Sequence, residues 1–227
     1  MTNHSNPAVR MNWSAVLVSV LLGILLFFGV LFLSNTSPAD AKGYQKVRSC
    51  YGLTVKQVGK SWVTVKKSNG ARVNYTGVAE NSNGWWRVVG GVVDFSYTGI
   101  ADNDFGWWRI VNGKVDFGAN GVFQNQHGWW KVQNGKVDFG YNGFADNENG
   151  TWKVRNGKVE FSYGGLFMTD DGVWHYIQNG KVRTDYEGII ANNYGAWYVK
   201  DGVVQFEFTG TYLGYTIETG KVTGQSA

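Results

Sequence analysis

The chain returns to one phrase about every 22 residues, and that periodicity constrains its fold more than any other feature. A turn ending in glycine falls at Gly77, Gly99, Gly121, Gly143, Gly165, Gly188 and Gly210, in steps of 22, 22, 22, 22, 23 and 22 residues. Tryptophan keeps step at Trp86, Trp108, Trp130, Trp152, Trp174 and Trp197. A second glycine, mostly after asparagine, recurs at Gly70, Gly91, Gly113, Gly135, Gly157, Gly180, Gly202 and Gly220. Repetition at this period means stacked copies of one small unit, none of which buries its apolar face alone.

The clearest copy is TGIADNDFGWWRIVNGKVDFG, from Thr98 to Gly118. Asn112-Gly113 between two short alternating runs reads as a two-residue hairpin turn, because a type I′ turn needs positive φ at both central residues. Each unit therefore contains one hairpin. That register sets Val111 against Lys114, Ile110 against Val115, Arg109 against Asp116 and Trp108 against Phe117. The same arithmetic pairs Trp86 with Phe95, Trp130 with Phe139, Trp152 with Phe161 and Trp197 with Phe206. In the unit beginning at Gly165 an extra residue between Trp174 and Asn179-Gly180 predicts a bulge at His175-Tyr176-Ile177-Gln178.

A lone hairpin of this size is unstable in water, so successive hairpins must stack and bury their Trp and Phe columns. The predicted fold is all-β, a solenoid of about seven stacked β-hairpins after an N-terminal apolar helix. The solenoid spans 60–222, with 42–59 as a short linker, 223–227 as a tail, and imperfect units at each end as caps. Aromatic content of 16% excludes a disordered chain, and one Cys with three scattered His excludes a disulfide scaffold or zinc cluster. Net charge is +4, but Lys and Arg are dispersed, unlike the massed patch of a nucleic-acid binder.

Residues 13–33 carry no charge, a length sufficient to cross a bilayer as a helix. Pro38 follows, then Ala39-Asp40-Ala41 in the small-x-small pattern of a signal-peptidase site. Residues 1–41 therefore read as a signal peptide cleaved after Ala41 or as an uncleaved membrane anchor, and both place the repeats outside. Cys50 lies too far past the apolar run for lipid attachment at its border, and reads as an unpaired thiol.

The motif GWW(R/K)(V/I)xNGKVDF, with (Y/A)(T/N)G(V/I/F)xxN, resembles the cell-wall-binding repeats of Gram-positive bacteria over about residues 60–222. That group includes choline-binding modules, glucan-binding domains and the carboxyl-terminal repeats of clostridial toxins. The resemblance implies a hairpin solenoid on the cell surface that binds carbohydrate or a wall polymer. Choline-binding repeats place Trp directly after the Thr-Gly turn as one wall of a box. Here that position holds Val78, Ile100, Val122, Phe144, Leu166 or Ile189, so one wall of the box is missing in most units.

The Trp preceding the core column stands at Trp85, Trp107 and Trp129, and is replaced by Thr151, Val173 and Ala196 in later units. Adjacent strand residues point to opposite faces, so these Trp should look outward, or else be covered by neighbouring hairpins. Beside them lie the pairs Arg87 with Asp94, Arg109 with Asp116, and Lys131 with Asp138. A ring for a sugar to stack on, flanked by groups that bond hydroxyls, makes these nine residues the candidate ligand site. As cross-strand neighbours, the charged pairs, with Lys153 and Glu160, also read as ordinary sheet stabilisers. The loops Asp102-Asn103-Asp104 and Asp146-Asn147-Glu148-Asn149 offer calcium-like oxygen spacings, but turn formation explains them equally.

No catalytic constellation stands out. The recurring carboxylates occupy repeated positions with cationic neighbours rather than one asymmetric site, and His127 and His175 have no nucleophile nearby in sequence. No enzyme activity, cofactor or metal is expected, and 42–59 is too short for an enzyme. The expected protein is secreted or surface-bound, holds a cell-wall polymer or glycan, and touches the membrane only through an uncleaved N-terminal helix. A self-associating adhesive protein and a binder of choline on teichoic acid are the alternatives.

Overall fold

The computed structural model describes residues 43–169 and 172–225. These form 23 β-strands, with no helix among the described residues. Residues 1–42, which carry the apolar segment expected as signal peptide or anchor, lie outside the described residues.

Each unit is a meander of three strands rather than one hairpin. In the clearest copy these are Gly99–Asn103, Gly106–Val111 and Lys114–Val115. The hairpin at Asn112-Gly113 forms in the expected register, with Ile110 opposite Val115 and Val111 opposite Lys114. Asn112 at φ 48° and Gly113 at φ 77° supply the two positive values such a turn requires. The unexpected hairpin is the longer one. It pairs Gly99 with Ile110 through to Asn103 with Gly106, and turns at Asp104-Phe105. Asn103 makes that turn: its Oδ1 accepts the Phe105 N–H at 2.9 Å and the Trp108 indole N–H at 2.9 Å. The same double acceptance recurs at Asn81, Asn125, Asn147 and Asn192.

Units are stitched through the backbone. The Arg109 N–H donates to the Gly135 carbonyl at 2.8 Å, and the Gly135 N–H donates to the Ala119 carbonyl at 2.9 Å. Each Asn-Gly turn thus docks on the long strand of the unit before it. The docking leaves no room for a side chain, since a Cβ on Gly113 would lie 2.5 Å from the Asp94 carbonyl oxygen.

The expected Trp column does reach the core, with Trp108 and Trp152 each 8% exposed, but the expected Phe column does not. The most buried column of the core is aliphatic: Val88, Ile110, Val132, Val154, Ile177, Val199 and Ile217 are all 0% exposed. Burying each such side chain contributes roughly 1.5–3 kcal/mol. The phenylalanines lie outside, with Phe95, Phe117, Phe139, Phe161 and Phe206 between 41% and 47% exposed. The third strand ends at Val115, where the Asp116 carboxylate accepts the Gly118 N–H at 3.0 Å and turns the chain. Phe117 therefore leaves the sheet and rests on the edge of Trp108, with ring centroids 5.8 Å apart.

The bulge expected near His175 is absent. Gly165, Leu166, Phe167 and Met168 pair with Ile177, Tyr176, His175 and Trp174 without a shift, so the extra residue falls in the loop between Met168 and Trp174. Counted back from Asn179-Gly180, Trp174 belongs with Trp85, Trp107 and Trp129, and His175 takes the core-column position. Strand structure also extends beyond 60–222. Leu53–Val58, inside the expected linker, pairs with Ser61–Lys66, and the last strand runs from Lys221 to Gln225. Cys50 is buried beside Leu53, Val55 and Tyr75. Burial, together with the Asp104 carboxylate, pushes its thiol up to about 11.

Candidate functional site

Trp85, Trp107 and Trp129 do not stand free on an outer face. Each is half-buried against the core-column Trp of the next unit. Trp85 meets Trp108 at 4.8 Å between centroids, Trp107 meets Trp130 at 5.1 Å, and Trp129 meets Trp152 at 4.9 Å. An additional member of this column is Trp62, which meets Trp86 at 5.1 Å. The stacking of units thus covers rings that strand alternation alone would leave outside.

A phenylalanine completes each contact. Phe117 lies 5.8 Å from both Trp85 and Trp108, with interplanar angles of 82° and 71°. Phe139 holds the same place against Trp107 and Trp130, Phe161 against Trp129 and Trp152, and Phe95 against Trp62 and Trp86. Four successive seams therefore carry a corner of three steeply inclined rings, one from the earlier unit and two from the later. The turn of the long hairpin adds a fourth side at two of them: Phe105 lies 5.8 Å from Trp85, and His127 lies 5.8 Å from Trp107. The next seam loses its rings, because Thr151, His175 and Thr184 occupy the three positions. Beyond it, Trp174 packs with Trp197 against the cluster of Leu166, Val199 and Val204 and meets Tyr194 at 6.1 Å, while Phe206 lies 5.5 Å from Trp197.

Of the residues after the Thr-Gly turn, Val78, Ile100, Val122 and Leu166 are buried in the core, while Phe144 and Ile189 are half-buried. The ring facing each core-column tryptophan comes from the preceding unit, at Trp85, Trp107 and Trp129. Sequence reasoning missed Trp62, Phe105 and the seam role of the phenylalanines. Trp62 was legible as one more member of the Trp85 column, 23 residues upstream.

The charged residues part company with the tryptophans. Among the described residues, ion pairs form at Lys67–Glu80, Arg155–Glu160 and Arg183–Asp185, and none joins Arg87 to Asp94, Arg109 to Asp116 or Lys131 to Asp138. Asp94, Asp116 and Asp138 each accept the backbone N–H two residues ahead. The cations lie over rings instead: Arg87 5.1 Å from the Tyr97 centroid, Arg109 4.6 Å from Phe123 and Lys131 5.4 Å from Tyr141. Burial draws the Arg109 guanidinium below its ordinary range, opposed by the nearby Asp116 carboxylate. In the two acidic loops, Asn103 and Asn147 are engaged as turn caps and indole acceptors.

The choline-binding repeat family matches six segments of this geometry, 74–94, 96–116, 118–138, 140–160, 162–183 and 185–205. The chain belongs to the choline-binding repeat family. Its matched repeats coincide with the strand meanders, and the aromatic seams lie where one meets the next. Among solved structures, it is similar to CbpJ from Streptococcus pneumoniae TIGR4, at 18% identity and TM-score 0.33, over 74% of this chain and 57% of that one. Choline binding protein F from Streptococcus pneumoniae is similar at 17% identity and TM-score 0.32, over 74% and 56%. An alternansucrase in complex with isomaltononaose is similar at 14% identity and TM-score 0.31, over 76% of this chain and 13% of that one. The chain thus spans less than three fifths of the first two solved chains. No curated protein sequence matches it.

Proposed function

We propose that this is a non-catalytic protein of the bacterial cell surface that holds a choline-bearing wall polymer in its aromatic seams. The observation that carries the reading is the corner of two tryptophans and a phenylalanine repeated at four successive seams. Inclined ring faces around one point suit a quaternary ammonium, which has no hydrogen to donate and is held by the negative faces of π-systems. Trp85, Trp107 and Trp129 act as walls shared between units, while the Arg/Lys and Asp columns maintain the scaffold. Asp94, Asp116 and Asp138 are engaged in turns at repeated positions, which supports a scaffold role for these carboxylates. The uncharged run 13–33 supports export.

The test is retention of the full chain on walls with and without choline substitution, followed by elution with free choline. Retention only on substituted walls, reversed by choline, is the expected result. Equal retention on both, unaffected by choline, favours stacking of a glycan on the exposed phenylalanine rings instead. Loss of retention on every wall overturns the proposal.

A further inference from the structure

Five lysines take the same path across a seam. Lys114, Lys136, Lys158, Lys181 and Lys221 are paired across the sheet with the preceding unit's Trp86, Trp108, Trp130, Trp152 and Trp197. Each aliphatic stem runs over the glycine two residues before that tryptophan. A Cβ on Gly84, Gly106, Gly128, Gly150 or Gly195 would lie 2.5–2.8 Å from the lysine Cε. The ammonium then sits over the indole, 5.3 Å from the centroid at Trp86, Trp108 and Trp130, 5.8 Å at Trp152 and 5.6 Å at Trp197.

The three members come and go together. Where His175 replaces the tryptophan, its strand partner is Val203 and the glycine position holds Val173. Where Val63 stands in that column, its partner is Val92 and the glycine position holds Ser61. Had the lysines been only solvated strand residues, Lys would have no reason to track a Trp and a Gly from another unit. The bare glycine backbone is what lets the stem lie flat enough for its ammonium to reach the ring.

We propose that these five lysines are specificity determinants, each seating its own ammonium on a seam tryptophan and weakening the hold of that seam on a free quaternary ammonium. The inference rests on the seam reading of function given above. A ring already engaged by one cation offers a weaker field to a second, and the two cations repel each other whichever face each occupies. The seams consequently favour a ligand that carries negative charge beside its stacking group, which the seated ammonium can pair with.

The experiment uses the full chain and choline chloride, read by intrinsic tryptophan fluorescence. Lys114→Met, Lys136→Met and Lys158→Met are combined, because Met keeps an unbranched stem over each glycine and removes the charge. The expected result is half-saturation by choline at a concentration lower by about two- to fivefold, the range of one exposed cation–π contact. Lys200→Met, on a residue seated on no seam tryptophan, leaves it unchanged. An unaltered near-UV circular dichroism spectrum establishes that the variant folds, and Lys136→Met alone serves if the triple variant does not. A folded variant that binds choline no tighter than the parent overturns the inference while leaving the seam reading intact. If neither protein binds choline, the inference is overturned as well, and the seam reading is then judged separately by retention on walls.

Discussion

Replacing Trp107 with alanine probes the difference between a free platform and a seam. An outward ring touched by nothing would leave stability within about 0.5 kcal/mol, as surface substitutions usually do. Trp107 instead contacts Trp130, Phe139 and His127 at centroid distances of 5.1, 5.4 and 5.8 Å. It also packs against the cluster of Ile100, Ala119, Val132 and Val137. Aromatic pairs add about 0.5–1.5 kcal/mol each beyond burial, so with incomplete additivity Trp107→Ala should cost about 2–4 kcal/mol. Trp152→Ala sets the upper reference. Its ring is 8% exposed and its indole N–H is held by Asn147 at 2.8 Å, which places it in the range of about 3–5 kcal/mol for buried aromatic truncations. Urea unfolding of the two variants and the parent, followed by circular dichroism, gives both differences. A Trp107→Ala variant that unfolds within about 0.5 kcal/mol of the parent would refute the seam packing and restore Trp107 to an outer face.

Three further outcomes follow from local geometry. Gly113→Ala and Gly59→Ala share a positive φ, but only Gly113 has backbone within 4 Å of a new Cβ; Gly113→Ala should be the more destabilising by at least about 1 kcal/mol in urea unfolding. Asn103→Ala strands the Trp108 indole N–H and should cost about 1–3 kcal/mol, with Asn103→Asp recovering part of that because an acceptor oxygen remains. The Cys50 thiol is raised to about 11 in the folded chain from 9.0, so the folded state holds a proton that the unfolded state releases. Its contribution is complete below pH 9 and is lost as pH rises towards 11, and Cys50→Ala should flatten that part of a melting-temperature profile.

What was legible in the sequence is what one short stretch of chain decides by itself. Asn112-Gly113 must turn because both residues accept positive φ at little cost, and a turn of two residues dictates that Ile110 opposes Val115. The period carried the stacking and the family, since a unit that cannot bury its own apolar side chains must bury them on a copy of itself. The other hairpin escaped notice because Asp102-Asn103-Asp104 reads as turn-forming without dictating a pairing register, as Asn112-Gly113 does. Its turn depends on the Asn103 carboxamide being shared with an indole five residues on.

Only the tertiary structure decided what each aromatic does. Strand alternation fixes which side of its own strand Trp107 leaves from, but whether that side meets water or the next unit depends on how units are offset, which no single unit encodes. The same dependence holds for Phe117, which extrapolated pairing placed in the core and the end of the strand at Val115 put outside. One added residue between Gly165 and Gly180 fits a strand or a loop equally well in sequence. The structure places it in the loop, because a shift within the strand would turn Ile177 out of an aliphatic column that runs unbroken from Val88 to Ile217.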